Sequence, residues 1–149
     1  MNVFVKKIPF FVMVLFILAL VRPMDVNAKE YSTEIMDSHR VTVMDKKTRK
    51  VVCVLSDSSG TVVSRNVVGG GNTLYYIVSQ GSGSSDEVNY LKSYNIKSKK
   101  KQTVHVFGWG MYLGAFYKGN LFLNHEPSGV LYRYNLKTGK CKRVATDAK

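Results

Sequence analysis

Acidic residues are scarce in this 149-residue chain: ten Asp and Glu stand against twenty-two Lys and Arg, for a formal net charge of +12. The acids fall mainly in segments that read as turns and loops (Asp45, Asp57, Asp86, Glu87, Glu126), so no two carboxylates are set opposite each other for general acid–base work. Cysteine is limited to Cys53 and Cys141. One possible bridge excludes a disulfide scaffold. Of the three histidines, His39, His105 and His125, no two have the spacing of a metal pair, and no cofactor is expected. Gly69-Gly70-Gly71 lacks the Lys-Ser/Thr and the helix of a phosphate loop, and no serine has the strand–turn–helix setting of a nucleophile elbow. Nothing catalytic stands out.

A long apolar run is also missing. The N-terminus carries Lys6 and Lys7, then fourteen uninterrupted apolar residues, 8–21, broken by Arg22 and Pro23. Crossing a bilayer takes roughly 20 apolar residues. With Val26-Asn27-Ala28 following, residues 1–28 read as a signal helix cleaved after Ala28, and the protein as secreted or otherwise extracytoplasmic. The alternative is an uncleaved segment that tethers the chain to the membrane. Cleavage removes Lys6, Lys7, Arg22 and Asp25, leaving a net charge near +10. Such a charge favours an anionic partner, a surface polymer or a protein. No recognised motif accompanies it, so nucleic acid is not the expected ligand.

What the remainder has is strand-forming residues cut by Gly, Asn, Ser and Lys clusters, with no helical period. It also has an internal repeat. Tyr94-Asn95-Ile96-Lys97-Ser98-Lys99-Lys100 matches Tyr134-Asn135-Leu136-Lys137-Thr138-Gly139-Lys140, and Met44-Asp45-Lys46-Lys47-Thr48-Arg49-Lys50 is a weaker third copy. Strand-like residues flank each copy, so each reads as a hairpin turn. Upstream, Gly71-Asn72-Thr73-Leu74-Tyr75-Tyr76 corresponds to Gly119-Asn120-Leu121-Phe122-Leu123. The chain is thus expected to be all-β: a lead-in over 29–39 with a short strand near 31–35, then a repeat domain over 40–149. That domain divides into a half-blade (40–57) and two four-stranded antiparallel blades (58–107 and 108–145).

Four strands in about 40–45 residues is the spacing of β-propeller blades. The Tyr75-Tyr76 pair and the Tyr-Asn-x-Lys-[Ser/Thr]-x-Lys turns resemble secreted bacterial repeats of the low-density-lipoprotein-receptor-related propeller type, although Tyr-Trp-Thr-Asp itself is absent. The resemblance implies a propeller fold and a binding role, with no set catalytic residues. Two and a half blades do not close a ring of four to eight. The chain is then a truncated remnant of a longer propeller without independent function, a piece completed by copies of itself, or a compact meander built from the same strands.

The expected binding residues are the lysine-rich turns and one tryptophan. Lys47 and Lys50, Lys99, Lys100 and Lys101, and Lys140, Lys142 and Arg143 form a basic arc if the turns share one face. The competing account is that they solvate turns and protect strand edges. Trp109, between Gly108 and Gly110, is either pushed outward by a bent backbone or a core residue at a corner. Cys53 and Cys141 sit in equivalent outer strands. In a propeller these lie too far apart to bond, and a bond between them points instead to the meander. The reading is of an exported, non-enzymatic binding module, with an exported carbohydrate-active enzyme as an alternative.

Overall fold

The computed structural model describes residues 28–81, 84 and 86–145. The signal segment expected over 1–28 lies outside the described residues except for Ala28. Twelve strands occur among the described residues, in chain order: β1 (Ala28–Lys29), β2 (Tyr31–Asp37), β3 (Arg40–Asp45), β4 (Val51–Ser56), β5 (Thr61–Gly70), β6 (Thr73–Gln80), β7 (Val88–Asn95), β8 (Lys101–Gly108), β9 (Met111–Tyr117), β10 (Asn120–His125), β11 (Val130–Asn135) and β12 (Cys141–Ala145). The fold is all-β, with one 3-10 turn at Glu126–Ser128. No helix of the described residues is long and apolar enough to cross a membrane.

The strands form three antiparallel sheets. The first is β2-β3-β4, the second β1-β5-β6-β7-β8 and the third β12-β11-β10-β9. Apart from β1, each strand pairs with its sequence neighbour, as short hairpin connections dictate. The segment expected as a lead-in supplies β2, which pairs with β3 from Tyr31↔Asp45 to Asp37↔Arg40. It is strand because Tyr31, Thr33 and Ile35 alternate with Ser32 and Glu34, and β3 offers a ladder interrupted only by a bulge at Met36. No ring closes among the described residues.

Packing follows from period-2 alternation. On β6, Leu74, Tyr76 and Val78 enter a core shared with Tyr31, Val41, Val43 and Leu55 of the first sheet. Ile77, one step out of phase, enters a second core with Leu113, Leu121 and Leu123 of the third sheet, and Tyr75 packs beside it. The second sheet is therefore covered on both faces. This accounts for the unbroken apolar run 74–78, where a one-sided strand would alternate.

β5 of the second sheet and β9 of the third lie side by side, with β2 on the other flank of β5. Their ends correspond. A Cβ on Gly70 would come 2.5 Å from the Phe116 ring, and Phe116 stacks on Tyr75 at 5.9 Å. At the other end, Val62 N–H donates to the Ser38 carbonyl at 2.9 Å, and Asp57 N–H to that of His39 at 2.9 Å.

Candidate functional site

The three repeated turns have one geometry. The Asx side chain at the end of β3, β7 or β11 accepts the N–H of the residue three places on. These bonds are Thr48 to Asp45 at 2.8 Å, Ser98 to Asn95 at 2.9 Å and Thr138 to Asn135 at 2.9 Å. The next N–H, of Arg49, Lys99 or Gly139, donates to the Asx carbonyl at 2.8 Å in every copy. The Asx N–H donates across to the carbonyl of Lys50, Lys100 or Lys140 at 2.9–3.0 Å. The fifth position takes left-handed backbone each time, with φ of 59° at Arg49, 57° at Lys99 and 66° at Gly139. Asx, Ser/Thr and the left-handed residue are what such a turn requires. The lysines at its third and sixth positions are not. Yet Lys47, Lys97 and Lys137 repeat at the third, and Lys50, Lys100 and Lys140 at the sixth, all exposed.

All three turns open at the same end of the stack. Lys46 N–H donates to Glu30, Ile96 to Asn72 and Leu136 to Gly119 at 2.8–3.0 Å, so each turn is tied to the segment preceding β2, β6 or β10. Those segments lie at the Gly70–Phe116 end. Lys118 joins them there, its ammonium 5.1 Å from the Tyr117 ring centroid. Among the described residues, Glu30 and Asp45 are the acids of this end. Lys101 stands apart from the other nominated residues. It lies on β8, and its ammonium donates to the Ser56 carbonyl, joining the second sheet to the first. Lys142 and Arg143 lie on the outermost strand β12, paired with Arg133 and Tyr132.

Trp109 belongs to the opposite end, away from the basic turns. It is 53% exposed, with Gly110 at φ 76° behind it, so it is not a core residue. His125 meets its ring edge-on at 6.0 Å and is itself bonded to Ser128 Oγ at 2.6 Å. Trp109, Tyr112, Glu87, Glu126 and Pro127 line a cleft of about 600 Å³. Three loops meet there, and sequence reading did not join them because nothing in their spacing marks the meeting. A smaller cavity of about 320 Å³ is lined by both His105 and His125 with Cys141. Among the described residues no three metal-ligating side chains gather.

Between the first two sheets, Asp57 pairs with the Lys92 ammonium. Burial raises the Asp57 pKa, but hydrogen bonds from Lys92 and Ser59 outweigh it and hold the carboxyl below its ordinary value. At the β2–β3 turn, the His39 N–H and the Arg40 guanidinium likewise hold Asp37 low. Cys53 and Cys141 are both unbridged, separated by the second sheet. Burial pushes the Cys53 thiol up to about 11, which removes the thiolate a nucleophile needs. No protein-family model matches the chain, and no curated protein is significantly similar to it.

Proposed function

We propose that the chain is an exported, non-enzymatic module of three propeller-type sheets whose basic end holds an anionic surface polymer. One observation carries the reading. Two lysines recur at the same positions of three separate turns, where the turn's hydrogen bonds make no demand on side-chain identity. The turns point one way, so six repeated ammonium groups and their neighbours face a ligand together, through many weak contacts rather than one pocket. The resemblance to the low-density-lipoprotein-receptor-related propeller type supports a binding role, and the apolar segment at 8–21 supports export.

The test is retention on an anionic matrix, a sulfated resin or a teichoic-acid-type polyphosphate. Retention should fall steeply as salt rises past physiological strength, where the screening length is about 8 Å. Changing Lys47, Lys50, Lys97, Lys100, Lys137 and Lys140 to Ser should weaken it by about tenfold or more, since each ammonium adds a few tenths of a kcal/mol. Retention that ignores both salt and these changes overturns the proposal.

A second reading rests on the Trp109 cleft. An exposed indole beside Glu87 and Glu126 supplies a stacking platform and carboxylates, the groups a carbohydrate-active enzyme uses. Release of reducing ends from a neutral polysaccharide, abolished by Glu126→Gln, supports it; no release at any pH between 4 and 8 removes it.

A further inference from the structure

The strand registers of the three sheets correspond when counted from the Asx residue of each turn, and that correspondence shows which faces are covered. Residues two before the Asx (Val43, Ser93, Arg133) and four before it (Val41, Leu91, Leu131) share one face of their sheet, here called the forward face. In the first sheet that face is covered by the second, and in the second by the third. Val41 and Leu91 are accordingly fully buried. Leu131, in the same place on the third sheet, is only half-buried. Phe122 is half-buried on that face too, and Tyr117 is 51% exposed.

The first sheet has the converse gap. Its backward face carries Met44, Thr42 and Val54, the last 45% exposed. The equivalent faces of the second and third sheets bury Leu74 and Tyr76, and Leu121 and Leu123, inside the two cores. The substitutions on the two open faces are complementary. Glu34 stands where the covered sheets have Tyr76 and Leu123, and Arg133 stands where they have Val43 and Ser93. Val43 and Tyr76 meet in one interlayer core. Repeating that layer once more places Arg133 of one copy in the interlayer with Glu34 of another.

We propose that two copies of this chain close head to tail, the forward face of each third sheet covering the backward face of the other copy's first sheet. The count selects two. The described residues of one copy give three sheets, and those of two copies give six, within the range of roughly four to eight in which such rings close. Both joints are then identical, related by a twofold axis. The proposal rests on the propeller-type reading of the sheets but not on polymer binding: retention on an anionic matrix tests that binding, and molar mass tests this.

The experiment is sedimentation or light scattering of the purified protein from micromolar to about 100 µM, a span that captures the affinities of ordinary reversible dimers. Twice the chain mass, with no higher species, is expected. Glu34→Arg and Arg133→Glu are both exposed changes that leave the sheets intact. Each alone should raise the dissociation constant by about tenfold or more, and both together in one chain should restore it. Leu131→Arg and Val54→Arg should each give monomer, and mixing the two should give a heterodimer through the one intact joint. A monomer at 100 µM overturns the proposal. So does a dimer that ignores these changes, or one whose charge reversals do not compensate.

Discussion

The left-handed position of the three turns allows a swap whose sign is fixed in advance. Arg49 and Lys99 hold φ of 59° and 57°, and Gly139 holds 66° in the same place with the same hydrogen bonds. An L-residue with a Cβ pays about 1–2 kcal/mol there. Glycine escapes that cost but gives up about 0.5–1 kcal/mol of chain entropy. The difference leaves Lys99→Gly and Arg49→Gly each stabilising by roughly 0.5–1 kcal/mol, and Gly139→Lys destabilising by as much. For a domain of this size each step is about 2–4 °C in the melting midpoint. The turn's hydrogen bonds should persist, because Arg49 and Lys99 are exposed and those bonds do not involve their side chains. Urea unfolding at pH 7, with m held constant, reads the free energy directly. A Lys99→Gly variant less stable than the parent, or a Gly139→Lys variant as stable, would refute the claim that the three turns share one geometry.

Other consequences follow from particular contacts. Asp57→Ala leaves the largely buried Lys92 ammonium without its counter-charge, with only the Ser59 hydroxyl at 3.3 Å still accepting from it, and should cost about 3 kcal/mol in urea unfolding. Because the Asp57 pKa is lowered in the folded state, its contribution is full above the unfolded value near 4 and is lost as pH falls through the folded one, so parent and variant stabilities should converge as the medium grows more acidic than the unfolded value. Leu91→Ala, at a fully buried site, should cost about 3 kcal/mol, whereas Leu131→Ala at the equivalent half-covered place should cost about 1 kcal/mol or less in the monomer. Under non-reducing conditions both thiols should titrate, exposed Cys141 rapidly and Cys53 slowly until pH approaches 11; a Cys53–Cys141 crosslink in the freshly purified protein would contradict the three-sheet arrangement. Finally, Lys142→Ser with Arg143→Ser on the outermost strand should promote aggregation with little loss of polymer retention.

The sheets were legible in the sequence because their signals are local. Alternation, the Gly-Asn and Asx-x-x-[Ser/Thr] turns, and the repeat of Tyr94–Lys100 in Tyr134–Lys140 each depend on residues within one hairpin. The placing of β2 shows the limit. Ser32 and Glu34 break the apolar pattern that Leu74 and Tyr76 keep, so the short strand expected near 31–35 could be read but not its extent to Asp37 or its pairing with all of β3. Long-range features were hidden altogether. Asp57 and Lys92 lie thirty-five residues apart, and the Trp109 cleft joins loops after β6, β8 and β10. Neither leaves a spacing to read. The lysine clusters were visible, but which of them are free was not. Only the fold shows Lys101 spent on Ser56 and the edge-strand pair Lys142 and Arg143 set apart from the turns.

That division argues against edge protection as the role of the turn lysines. An edge strand needs charge on its own exposed ladder, which is where Lys142 and Arg143 sit. Charges on a turn do not shield a ladder, so edge protection does not explain Lys47, Lys97 and Lys137, or Lys50, Lys100 and Lys140. Solubility explains a surplus of charge but not its segregation. The antiparallel meander sends alternate connections to opposite ends, and the sequence puts lysine in one set while Asp37, Asp57, Glu87 and Glu126 fall in the other. The result is a molecule with a charge axis running along its inner strands. Against a negatively charged surface such an axis orients the protein before contact, basic end inward. The Trp109 cleft then faces away from that surface, so a ligand for the cleft and a polymer on the turns do not compete. If the proposed polymer and a cleft ligand both bind, that separation requires that each bind with the other present at unchanged affinity, and an affinity for one that shifts when the other is added refutes it.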